Sequence, residues 1–236
     1  MPIEHLSNDK AFALIGEMTS TRNLLGYGTK VLREARFIET TRDPIMTMLS
    51  IGMEKLFKMT LGVMSLDETH AWPSKQVMRG YGHGVTDLFD EAMRGIRSRT
   101  ANSTGYVKGL VEHVDEDPVL PPLLETLDRY GKAGRFYNLD LLADDPQTEA
   151  DPKHLWEQAE RAVMSDPDIA ASFSAAMSDT SNNEVWDAFH ASVQTRLAEG
   201  IEACWNMVSR VGINHALGTT GSVLGWEIAP TSVGRQ

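Results

Sequence analysis

The residues best suited to chemistry lie in a few short stretches. Glu54 and Lys58 stand four apart, acid before base, on the narrow polar strip of an otherwise apolar segment. Such a pair is either an ion pair along a solvated helix edge or a polar pair facing a cleft. His83 lies in Gly80-Tyr81-Gly82-His83-Gly84 and falls on a helical wheel with Arg79, Asp87, Asp90 and Arg94. Alternating glycines cost about 1 kcal/mol each inside a helix. They point to close backbone approach or to a bend beside a binding site. The plainer reading is that His83 caps or bends a helix and pairs with Asp87. Gly131-Lys132-Ala133-Gly134-Arg135 sets two cations in a flexible turn, which can hold a phosphate or simply join two helices.

Arg210 and His215 are five apart in the last long helical stretch. His215 falls on the stripe of Val193, Leu197, Cys204, Val208 and Val211, where a histidine is ordinarily a hydrogen-bonded core residue. On one helix the two would diverge by roughly 140°, so a second subunit would have to complete a shared site. Asp67-Glu68-Thr69-His70 supplies one acid-His pair, but a di-metal bundle needs a second copy plus two more glutamates. Glu112 and His113 are adjacent and cannot face one point. Neither a phosphate-binding loop nor a dinucleotide fingerprint nor a nucleophile elbow is present.

The elements that must carry these residues read as helices almost throughout. Ser7 or Asn8 caps a first helix to about Ile38, and Asp43-Pro44 opens a second bearing Ile45, Leu49, Leu56, Met59 and Val63. Ser74 caps a third, with Val77, Tyr81, Val85, Leu88, Ala92 and Ile96 on one side. Short helices follow near Tyr106–Val114 and Val119–Tyr130, then a turn into Leu139–Ala143. Two more, Lys153–Met164 and Asp168–Met177, are each opened by Asp-Pro. A long helix over Val185–Leu217 stops at Gly218. The spacing predicts an all-α helical bundle, with residues 1–218 as a single helical domain and 219–236 as an irregular tail.

Composition agrees. The chain has 236 residues, 42% hydrophobic and 23% charged, enough for a real core without staples. A single cysteine, Cys204, excludes an internal disulfide and makes a cysteine-based zinc site improbable. No apolar run approaches the ~20 residues of a membrane span, and the N-terminal stretch lacks a secretory pattern, which fits a cytoplasmic protein. The net charge is −11, but ten acids against two bases between Asp144 and Glu184 account for most of it. The rest of the chain is nearly neutral, so general nucleic-acid binding is not favoured.

The stretch Ile51-Gly52-Met53-Glu54-Lys55-Leu56-Phe57-Lys58-Met59-Thr60, followed by Tyr81-Gly82-His83-Gly84-Val85-Thr86-Asp87-Leu88, resembles the second and third helices of HEPN-type and abortive-infection helical proteins. There an E-K-x-x-K helix precedes a G-H-x-x-x-x-L helix. Ser209-Arg210-Val211-Gly212-Ile213-Asn214-His215-Ala216-Leu217 is similar to the family's closing motif, Arg-polar-x-apolar-x-His, with Val211 departing from the polar position. The resemblance implies a HEPN-like core (helices 8–98 and 184–217) with a helical insertion over 104–178. It also implies a homodimer and a metal-independent ribonuclease needing no cofactor. Trp205 and Arg210 would mark the exposed edge through which copies pair.

On that resemblance His215 is the base that takes a 2′-OH proton, Arg210 clamps the phosphate and Glu54 orients one of them, with Lys58, His83 and Arg79 as binding residues. RNA is then the substrate, and the protein a toxin or antiphage effector silenced by a protein partner such as an antitoxin. The other reading is a non-catalytic helical protein that binds a protein partner or a small ligand, with twelve methionines filling an adaptable core. The acidic 144–184 segment suits the second and the Arg79, Arg94, Arg97 and Arg99 cluster the first.

Overall fold

The computed structural model describes residues 3–234. In chain order its helices are α1 (Asn8–Glu34), α2 (Ile38–Thr69), α3 (Lys75–Gly80), α4 (Val85–Thr100), α5 (Gly105–Asp115), α6 (Leu120–Lys132), α7 (Tyr137–Leu142), α8 (Pro152–Val163), α9 (Pro167–Ser178), α10 (Asn183–Ile213) and α11 (Gly218–Glu227). Short 3-10 turns precede α7 and follow α11, and no strand occurs among the described residues. The fold is an all-α helical bundle. No helix among them is long and apolar enough to cross a membrane.

Helix α2 is the central strut: α1, α4, α6 and α11 all pack on it. Its side chains Leu49, Met53, Leu56, Phe57 and Val63 are fully buried. Helix α10 lies across α1 and gathers α5, α8, α9 and α11. Helices of the 104–178 stretch share this core, since Val107, Val111, Leu123, Leu127 and Trp156 belong to the same buried cluster as the long helices.

Local signals hold at several ends. Ser7, Ser74 and Thr104 accept from the backbone N–H three residues on. Asp151 and Asp166 cap α8 and α9, each followed by proline at the first helical position.

Four expectations need correction. Helix α1 ends at Glu34 and α2 starts at Ile38, so Pro44 sits inside α2 rather than opening it. So near a helix start the missing N–H removes only one ladder bond, and tertiary packing of the long apolar face outweighs it. The expected third helix is two, broken at Gly82, whose φ of +65° no helix accommodates.

The last long helix ends at Ile213, and Gly218 starts a further helix instead of a loose tail. Helix α11 folds back on α10 through glycine: a Cβ on Gly225 would lie 2.4 Å from Ser209 O, and one on Gly212 would lie 2.4 Å from Gly221 O. Ser209 Oγ donates to Gly225 O at 2.8 Å, and Trp205 Nε1 donates to Ile228 O at 2.6 Å. Trp205 is therefore buried inside the bundle, 1% exposed, and marks no exposed edge. Residues 235 and 236 of the expected tail lie outside the described residues.

Candidate functional site

Three elements that are distant in sequence meet around the middle of α2. Thr47, Ser50, Ile51 and Glu54 rise along one face of that helix, spaced three or four apart as a helix requires. Glu54 Oε1 accepts from Lys58 Nζ at 2.8 Å, one turn on. The same oxygen lies 2.9 Å from His83 Nδ1. Against a carboxylate Nδ1 is the donor, and Nε2 is the other nitrogen of the ring. The imidazole side chain is 75% exposed while the Glu54 side chain is 22% exposed, so an anchored carboxylate holds a ring open to solvent.

His83 reaches Glu54 because the chain breaks before it. The left-handed Gly82 turns the backbone, and Gly84 begins α4 where no side chain fits easily. A Cβ there would lie 2.8 Å from Asp87 Oδ2, 3.1 Å from Asp128 Oδ1 and 3.1 Å from Lys132 Nζ. Asp128 of α6 then caps α4 from outside, accepting from Thr86 N at 3.3 Å, and binds Lys132 Nζ at 2.8 Å. The expected His83–Asp87 pair does not form; the helical wheel that joined them assumed a helix that Gly82 interrupts.

The far wall comes from α6 and the turn after it. Tyr130, Gly131, Lys132 and Arg135 face Glu54 and His83 across a pocket of about 360 Å3. Tyr130 Oη lies 3.0 Å from Thr47 Oγ1, tying α6 to α2. Hydrogen bonds tie the 131–135 turn to its surroundings. Arg129 is 9% exposed and its Nε donates to Ala150 O at 2.9 Å. Gln147, which Arg129 also holds, donates to Ala133 O at 3.0 Å. Arg135 donates to Gly131 O at 2.6 Å and lies over the Phe136 ring. With Glu54 matched by Lys58 and Asp128 by Lys132, Arg135 leaves the pocket a surplus of positive charge. Beside it, burial and the Glu91 charge push the Tyr81 phenol up from its ordinary value, so it stays protonated.

Of the expected site residues the structure brings together Glu54, Lys58 and His83, with Lys132 and Arg135 across from them. Arg79 is exposed on α3. Arg210 is half-buried near the end of α10, and His215 is exposed in the α10–α11 turn at φ +62°. His215 thus leaves the apolar stripe to which the helical spacing assigned it. No hydrogen bond among the described residues joins Arg210 to His215 or either to Glu54.

Asp67 and Glu68 both bind Arg99, each at 2.7 Å, while His70 stacks on His5. Burial pushes the Cys204 thiol well up, which keeps it inert. Asp128, Tyr130 and Thr47 were not singled out from the sequence. The one available hint was Asp128 standing four before Lys132, an ordinary helix spacing.

No family model matches the chain, and neither curated proteins nor solved structures yield a match. The all-helical bundle is consistent with the resemblance drawn from the motifs without being specific to that family.

Proposed function

We propose that the protein is an endoribonuclease whose proton-transfer centre is the Glu54–His83 pair, with Lys132 and Arg135 receiving the scissile phosphate. One observation carries this reading: the 2.9 Å contact that orients an exposed imidazole at the mouth of a pocket also lined by two cations. Neutral Nε2 of His83 takes the 2′-OH proton as O2′ attacks phosphorus. The guanidinium and ammonium stabilise the charge gathering on the non-bridging oxygens. The P–O5′ bond breaks, a 2′,3′-cyclic phosphate forms, and the imidazolium carries the proton that the leaving oxygen needs. Glu54 keeps the ring in the tautomer that makes Nε2 the base.

The test is cleavage of structured RNA and tRNA by wild type and H83A, with chelator present and absent. Removing a general base lowers rate by roughly 10²–10⁴. The exposed ring makes H83A a folded protein, so its melting temperature should match wild type. A wild type that cuts no RNA under either condition ends the reading.

A second reading has its own support. An apolar groove of about 390 Å3 lies between α1, α2 and the Trp72–Met78 stretch, lined by Leu6, Leu14, Met59, Trp72 and Met78. It suits a non-catalytic protein that binds an apolar ligand or the side chains of a partner. Titration of Trp72 fluorescence alongside the cleavage assay separates the two.

A further inference from the structure

Arg42 is a buried cation with an unsatisfied nitrogen. It sits on α2, 5% exposed, and its Nε has no hydrogen-bond partner. No carboxylate reaches it within ion-pair distance, although Glu39 and Asp43 stand nearby. Its field is felt at Glu160, but burial outweighs that field and pushes the Glu160 carboxyl up, and Glu160 spends its own bond on Trp156 Nε1 at 2.8 Å. A guanidinium buried without acceptors is costly, and native proteins satisfy such groups. An acceptor entering from outside the chain would satisfy it.

The space for it exists. Arg42 lines a polar cavity of about 260 Å3 with Arg135 and Lys153, and the carboxylates of Glu39, Asp43 and Asp151 line it too. Asp151 Oδ1 accepts from Lys153 N at 2.9 Å, capping α8 at the edge of the cavity. Arg135 and Tyr130 line both this cavity and the Glu54–His83 pocket, so the two are neighbours.

We propose that the Arg42 cavity is an anion subsite for a phosphate group, and that with the Glu54–His83 pocket it receives successive phosphates of one phosphodiester chain. A planar guanidinium fork binds phosphate oxygens in pairs, which a rim of exposed cations alone does not do. Arg135, between the two cavities, contacts both phosphates. The first half of the proposal stands without the ribonuclease reading; the second half rests on it.

Calorimetric titration with inorganic phosphate, at ionic strength fixed with chloride, tests the subsite. Wild type should bind saturably and melt higher with phosphate, and R42M should bind at least tenfold more weakly and lose most of the melting shift. Without phosphate, R42M should melt no lower than wild type, because it removes an unsatisfied buried charge. If R42M does not fold, R42K decides, with binding about tenfold weaker than wild type because the ammonium lacks the fork. Equal phosphate binding by wild type and the Arg42 variant overturns the subsite, as does no binding by wild type.

The chain half is read with deoxyoligonucleotides, which carry no 2′-OH to react. One with two phosphodiesters should bind wild type at least tenfold tighter than one with a single phosphodiester, and R42M should abolish the difference. If phosphate binding depends on Arg42 but the second phosphodiester adds nothing, the continuous track is wrong and the subsite stands. If both hold and RNA is still not cut, the catalytic reading fails alone.

Discussion

Lys58 and His83 share a single acceptor, Oε1 of Glu54, at 2.8 and 2.9 Å. One carboxylate thus sets the position of an ammonium on its own helix and of an imidazole 29 residues away. The first bond is local and modest, about 0.3–0.5 kcal/mol where solvent reaches it. The second gives the pocket its directional group. E54Q keeps the shape of the side chain, but an amide can hold His83 in either tautomer. Its cleavage rate should fall by roughly 10²-fold or more with unchanged circular dichroism. A rate within threefold of wild type would detach Glu54 from the chemistry.

The α10–α11 hairpin should tolerate no side chain at its crossing. A Cβ on Gly225 would meet Ser209 O at 2.4 Å and Ile213 N at 2.6 Å, both backbone atoms that cannot swing aside. G225A should cost about 1–3 kcal/mol in denaturant titration. G16A is the control, since nothing lies within 4 Å of a Cβ there. It should be neutral or slightly stabilising because alanine favours the helix.

Stability should respond to pH through Glu160. Burial raises its folded value above the ordinary carboxylate range, against weaker lowering by the Trp156 hydrogen bond and the Arg42 charge. A carboxyl that binds its proton more tightly when folded stabilises the fold when protonated. That contribution is complete below the unfolded value and is lost as pH rises through the folded one. E160Q, neutral throughout, should therefore melt a few degrees above wild type near pH 7 and lose that advantage in acid. Melts across pH 4–8 read this directly; parallel curves would show that Glu160 is well solvated.

His215 occupies the left-handed region, where a Cβ costs about 1 kcal/mol and glycine costs nothing in sterics. H215G should raise stability by several tenths of a kcal/mol, measured by denaturant midpoint at constant slope. The same variant also tests the role that the sequence motif suggested. Loss of cleavage in H215G with full stability would return the proton transfer to the α10–α11 turn.

What the sequence made legible follows the range of the forces involved. The Glu54–Lys58 pair and the Asp-Pro starts of α8 and α9 depend on residues four or fewer apart, and they stand where the spacing puts them. The Glu54–His83 bond depends on a left-handed glycine and on α6 reaching over to cap α4, neither of which a helical wheel contains. Residues 218–227 looked irregular because glycine is a poor helix former. Here Gly221 and Gly225 serve packing, and tertiary contact overrides propensity. His215 was misplaced for a simpler reason: the helix stops two residues before it.

The position of α11 has a consequence for how the chain comes off the ribosome. That helix packs on α1, α2 and α10, and Arg22 Nη1 donates to Glu227 O across 205 residues of sequence. Contacts so distant in sequence slow folding, and here they also wait for synthesis, since translation proceeds at about 5–20 residues per second. Val63, against which Gly221 packs, is therefore made some 155 residues before the helix that covers it, and its final packing waits on the synthesis of α11.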